Sequence, residues 1–250
     1  MSSRRELFLE EIGLTPLWRL KSAHPQEFGA PDSGVPAATP PGPGLAAAEA
    51  RAESIARLDW DELKASVAAC TACGLRKTCT QTVFGVGDER ADWLLVGEAP
   101  GAEEDARGEP FVGQAGKLLD AMLTGIGLKR GEDVYIANVL KCRPPGNRNP
   151  EAAEVERCAP FLLRQVALIQ PRLIIAMGRF ACQALLDTDA SIASLRGRVH
   201  RFQGVPLIVS YHPAYLLRSL PDKAKAWEDL CFARRTMADL HQQTLSQATP

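Results

Sequence analysis

The chain has 250 residues, 46% of them hydrophobic, and a net charge of −1, which bounds it to one domain of ordinary size with appendages and gives no global sign of a nucleic-acid partner. No apolar run reaches the roughly 18 residues of a membrane span. Seven cysteines, an odd count with no signal-peptide pattern before them, argue against a disulfide scaffold and for thiols acting as metal ligands in a reducing, cytoplasmic setting.

In chain order, residues 1–22 mix charge with Leu7, Phe8, Ile12, Leu14, Leu17 and Trp18, and read as a short amphipathic peptide. Residues 23–47 are rich in Pro, Ala and Gly and read as a flexible linker. The folded domain is expected over 48–250, opening with a helix through Ile55, Leu58, Trp60, Leu63 and Val67. Strands are predicted at Trp93–Val96, Val134–Leu140, Leu173–Met177, Val199–Phe202 and Pro206–Ser210. Helices are predicted at Gln114–Ile126, Pro150–Ile169, Phe180–Leu186 and Lys223–Leu245. This alternation implies a three-layer α/β/α domain with a central, largely parallel sheet, whose ligands bind beyond the carboxyl ends of the strands.

The polar motifs come directly after those strands. GEAPGAEEDARGEPFVGQAG (97–116) combines turn glycines, the acids Glu98, Glu103, Glu104 and Asp105, and one large aromatic, Phe111. Its acids argue against a phosphate cradle; a surface loop anchored by Phe111 is the plainer reading. NVLKCRPPGNRNP (138–150) places Asn138 near the end of an apolar strand, as a structural amide or a ligand reader. HPAYLLR (212–218) sets His212 at another strand end. Residues 138–218 hold eleven Lys/Arg against five acids, either a solvated face or a local basic surface for phosphates. Cys70 and Cys73 form a CxxC, and Cys142 and Cys158 supply two more thiols; the four can close an iron–sulfur or zinc site, with Cys79 able to replace a member. Cys182 and Cys231 fall in helical patterns, as small buried hydrophobes.

GEAPG with PFVGQAG, then NVLKCRPP, then HPAYLLR, in that order and with four cysteines, resemble the family 4, iron–sulfur uracil-DNA glycosylases over roughly residues 66–245. The resemblance implies a monofunctional repair hydrolase. It flips uracil out of DNA and hydrolyses its N-glycosidic bond, leaving an abasic site. It also implies a [4Fe–4S] cluster on Cys70, Cys73, Cys142 and Cys158. Glu98, Ala99 and Pro100 would line the uracil pocket, Phe111 would stack on the base, Asn138 would read its edge and His212 would face its O2. Leu216 or Leu217 would wedge into the duplex, with Arg218 near phosphate. The better-known uracil glycosylase branch has an Asp to position water and a Tyr to exclude thymine. Those places are Ala99 and Gly101 here, which leaves Glu98 and Glu104 as candidates for handling the water.

Two rivals differ in class. A uracil-trapping relative would carry a His in the segment after Asn138, and Pro144–Pro150 has none. A non-catalytic DNA-binding module on the same fold could hold zinc instead of iron. Residues 1–22 are similar to the N-terminal peptide of the psi subunit of bacterial DNA polymerase III, which implies a clamp-loader partner; a self-docking helix is the alternative. The expected protein is a monomeric, cytoplasmic bacterial enzyme associated with the nucleoid.

Overall fold

A computed structural model describes residues 43–248; the amphipathic peptide 1–22 and the linker as far as residue 42 lie outside the described residues. Helix α1 (Pro43–Arg57) begins inside the stretch read as linker, because Pro43 sits in its first turn and an Ala-rich run comes after it. The single opening helix expected from the sequence is broken at Leu58–Asp59. Asp59 caps a second helix, α2 (Trp60–Ala68): its carboxylate accepts from Glu62 N, and the Glu62 carboxylate accepts from Asp59 N.

The remaining elements are β1 (Val86–Gly87), β2 (Trp93–Gly97), α3 (Ala102–Arg107), α4 (Gln114–Gly125), β3 (Val134–Asn138), α5 (Ala152–Ile169), β4 (Leu173–Met177), α6 (Arg179–Leu186), α7 (Ile192–Leu195), β5 (His200–Phe202), β6 (Val205–Ser210), α8 (Pro213–Leu216) and α9 (Asp222–Ala248). The sheet order is β1-β3-β2-β4-β6-β5. The four central strands are parallel, and the short edge strands β1 and β5 are antiparallel to their neighbours. No helix among the described residues is long and apolar enough to cross a membrane.

Strand alternation sorts the core into two faces. Leu94, Val96, Ile174, Ala176, Leu207 and Val209 pack against α5 and α6. Trp93, Leu95, Ile136, Ile175 and Ile208 pack against α4 and α9. The result is a three-layer α/β/α domain. Its chain leaves β2, adds β3 on one side and then crosses to add β4 on the other, so the direction reverses between β2 and β4. A crevice opens at the carboxyl ends there.

The cysteine-bearing segment 70–81 is not part of the sheet. Buried Asp105, on α3, ties it down: its carboxylate accepts from Thr80 N at 2.9 Å, Thr80 Oγ1 at 2.9 Å and Gln81 N at 3.4 Å. Asp105 is thus a brace and not part of an acidic surface. Asp105→Ala leaves buried donors unpaired and should cost roughly 2–4 kcal/mol, read as a lower urea midpoint with an unchanged slope.

Candidate active site

Backbone register assembles the site. Gly97 pairs with Asn138, Val96 with Ala176, and Met177 with Ser210, so four strand ends lie level. The residues just beyond them, with Asn138 itself, line one cleft of about 850 Å³ that contains Glu98, Ala99, Pro100, Glu104, Phe111, Asn138, His212 and Arg218. Leu216 and Leu217 do not line it. Leu216 is 1% exposed, packed under α8, whereas Leu217 is 43% exposed.

The 97–111 loop is built around close approaches. A Cβ on Gly97 would lie 2.4 Å from Asn138 Oδ1 and 2.7 Å from Phe111 Cζ, so no larger residue fits there. Phe111 has φ +55°, the left-handed region that a bulky residue avoids. Arg130 holds it in place by donating to Pro110 O at 3.0 Å and Phe111 O at 2.9 Å. The Glu104 carboxylate accepts from Gly101 N, Val112 N and Gly113 N. Its oxygens are committed to the loop backbone.

Asn138 is buried, and its Oδ1 has no hydrogen-bond partner among the described residues. A buried acceptor without a donor is rare and fits a ligand N–H. Its backbone oxygen accepts from the buried Lys141 Nζ at 2.8 Å, and the same ammonium donates to Gln165 Oε1 at 2.6 Å. His212 stacks on Phe111, centroids 5.3 Å apart at 30°. Burial pushes its imidazole down to about 4, so the ring is neutral near pH 7. Its Nδ1 accepts the Ala214 N–H at 3.1 Å, which leaves the proton on Nε2 as a donor. Burial raises the Glu98 carboxyl to about 7, and nearby Arg179 opposes that rise.

Sequence reading missed Arg179, Arg130, the Lys141–Gln165 pair, and Tyr211 with Tyr215. Arg179 lay within reach of the same logic that found the motifs, since it comes after strand β4 and Gly178. Tyr211 and Tyr215 flank His212 and were equally open to that logic, whereas Arg130 and the Lys141–Gln165 pair act across distances of chain that carry no local pattern.

A second, small and mostly apolar cavity is lined by Cys70, Cys73, Cys142 and Cys158, with Leu75, Leu140 and Phe161; Cys79 is not among its lining residues but packs beside Cys142. Cys158 Sγ accepts from Lys141 N at 3.3 Å, and Cys70 Sγ accepts from Arg51 Nη2 at 3.6 Å. Burial and neighbouring thiols push Cys142 far up; burial takes Cys158 to about 11, with Lys141 pulling back. Such crowded thiols ionise together when a polycation holds them. No three Cys, His, Asp or Glu among the described residues converge closely enough for a single ion.

The model of the uracil DNA glycosylase superfamily matches residues 84–231. A type-4 uracil-DNA glycosylase of Archaeoglobus fulgidus is 49% identical over 165 residues, covering 63% of this chain and 82% of the relative. Those of Pyrobaculum aerophilum and Thermotoga maritima are 40% and 45% identical, covering 69% and 60% of this chain and 92% and 79% of the relatives.

The raised Glu98 carboxyl has a consequence for stability. Its folded value of about 7 lies above the ordinary 4.5, so stability falls as pH rises from about 4.5 to about 7 and the full cost remains above that. Glu98→Gln should therefore stabilise the fold near pH 8, by about 1–3 kcal/mol after allowing for solvent screening, and change little near pH 4. Thermal midpoints at the two pH values check this; equal shifts at both would contradict it.

Proposed function

This chain belongs to the type-4 uracil-DNA glycosylases of the uracil DNA glycosylase superfamily, and on that premise we propose how its own residues excise uracil from DNA. The observation that carries the reading is the unpartnered Asn138 Oδ1 in a cleft that also presents a neutral imidazole. Asn138 accepts from uracil N3–H and donates its amide to O4; cytosine presents the opposite pattern and would leave both groups unpaired. Phe111, fixed by Arg130, gives the flipped base an aromatic surface that offsets part of the cost of unstacking. Cleavage of the glycosidic bond moves charge onto uracil O2. The Nε2–H of His212, set by the Ala214 N–H on Nδ1, donates to that oxygen and stabilises the leaving anion.

Glu98 is assigned to the water that attacks the sugar. Glu104, also considered for that role, has its oxygens held by backbone amides, which favours Glu98. As a carboxylate, Glu98 orients water and faces the sugar cation. Of the two wedge candidates, exposure favours Leu217, and Arg218 at the cleft supports a phosphate contact.

Cys70, Cys73, Cys142 and Cys158 would hold a [4Fe–4S] cluster. When bound, the cluster supplies thiolate–iron bonds that cross-link segment 70–73 to the loop after Asn138 and to α5, a structural tie. Its support is the four-thiol cavity, with N–H donors from Lys141 and Arg51 aimed at two of its sulfurs. Residues 1–22 would tether the enzyme to a clamp loader through an apolar groove, across a linker long enough to leave the domain free.

Release of free uracil from oligonucleotides, with thymine and abasic controls, tests the function. His212→Ala should lower the single-turnover rate roughly 10²–10³-fold with much less change in binding; native turnover with poor binding would make His212 a DNA contact. The wild-type rate should rise as pH passes through about 7, as Glu98 loses its proton, and Glu98→Gln should flatten that step. Cys142→Ala should yield colourless, poorly soluble protein; full iron content would reassign the ligand. Deleting residues 1–40 should abolish clamp-loader pull-down and spare excision on naked DNA.

A further inference from the structure

The cleft is several times larger than one pyrimidine ring, and part of its wall takes no part in reading or cleaving uracil. That part carries Tyr211, Tyr215 and Phe180, beside Arg179 and Arg218. Tyr211 and Tyr215 are stacked, with centroids 5.4 Å apart and planes at 20°.

The pair is rigidly supported. Tyr215 Oη donates to Asp222 Oδ2 at 2.6 Å, and that carboxylate also accepts from Ser219 Oγ at 2.7 Å and pairs with Lys225 at 2.8 Å. Tyr211 is backed by the Arg196 guanidinium, 5.3 Å from its ring centroid. Arg196 Nε in turn donates to both oxygens of buried Asp229, at 2.9 and 2.8 Å, and Ser210 Oγ donates to the same carboxylate at 2.9 Å. Two separate carboxylates therefore hold the two rings.

A stack that served packing alone would be covered. Tyr215 is instead 39% exposed at the cleft, and with its hydroxyl bound to Asp222 the open portion is chiefly ring. A preorganised aromatic surface beside arginines is the combination that binds unpaired bases, because every base has a π-face and every nucleotide a phosphate.

We propose that the Tyr211–Tyr215 stack is a second base subsite, which takes an unpaired nucleobase next to the flipped uracil and so suits the enzyme to uracil in single-stranded or locally melted DNA. This rests on the uracil-excision reading of the same cleft. In a duplex the neighbouring base must leave its own pair to reach the tyrosines; in a single strand it does not. The subsite therefore favours the single strand, whichever side of the uracil it reads.

The test uses full-length, iron-loaded protein and two single-stranded oligonucleotides with 2-aminopurine on either side of a 2′-fluorinated, cleavage-resistant deoxyuridine. Wild-type protein should quench one reporter through stacking. Tyr215→Ala should leave it bright, and Tyr215→Phe, which keeps the ring, should restore the quench. With cleavable uracil, Tyr215→Ala should lose about tenfold in kcat/KM on the single strand, at least threefold more than on the duplex. Should the Ala variant fold poorly, Tyr215→Leu keeps the apolar packing without the π-face and should behave like Ala. Quenching that survives in Tyr215→Ala or Tyr215→Leu, or equal losses on both substrates, overturns the subsite. No uracil release by wild-type protein from either substrate would overturn the functional reading itself, a separate outcome.

Discussion

The parallel register of β3, β2, β4 and β6 is the constraint on which the site depends. Because Gly97 pairs with Asn138, and Met177 with Ser210, four strands stop hydrogen bonding at one level. The residues after each strand are then delivered to one edge: Glu98, the loop after Asn138, Arg179 and His212. A slip of one residue in any of these strands would send the side chains packed on one helix layer to the other, so the two cores that hold the strands also hold the site geometry. The switch between β2 and β4 keeps the crevice open, since the connections on its two sides run in opposite directions.

Within that crevice, burial sets the protonation states. The same desolvation that lowers His212 raises Glu98, and in both cases it favours the neutral form. For the histidine that outcome is useful, because a neutral ring with Nδ1 occupied offers a donor without a full charge, which would resist burial. For Glu98, the Arg179 guanidinium opposes part of the rise, which brings the carboxyl close to neutrality instead of leaving it protonated throughout. One strained residue lies here too. Phe111 keeps a left-handed backbone because Arg130 grips two successive carbonyls and because Gly116, where a Cβ would meet Phe111 O at 1.8 Å, lets the helix start come close.

The cysteine cavity and the cleft share supports. Lys141 is adjacent to Cys142 in sequence; its backbone N–H donates to Cys158 Sγ and its buried Nζ holds the Asn138 carbonyl. Asp105, in the helix after the Glu98 loop, anchors Thr80 and Gln81 beyond Cys79. These bonds join the thiol-bearing segments to the loops that line the cleft. A cross-link at the cysteines, as proposed above, would restrain Asn138 through its own neighbours.

By itself the sequence determined the local matters. Strand and helix periods, the polar motif after each strand, and the family resemblance placed Glu98, Asn138, His212 and the cysteines, because hydrophobic period and turn glycines are encoded residue by residue. Boundaries moved where capping chemistry overrode the apolar pattern, as at Asp59, and where helix propensity extended into the expected linker, as at Pro43. Only the tertiary structure distinguishes chemically equal candidates. Glu104 spends its oxygens on backbone amides and Glu98 does not, and Leu216 is buried where Leu217, just past the end of α8, is exposed. It alone brought Arg130 to Phe111, Gln165 to Lys141, and Arg196 beneath Tyr211. Those contacts join residues 19 or more positions apart, or side chains approaching through space from different elements. No periodicity reports them, because they arise from where the sheet's twist and register carry each element.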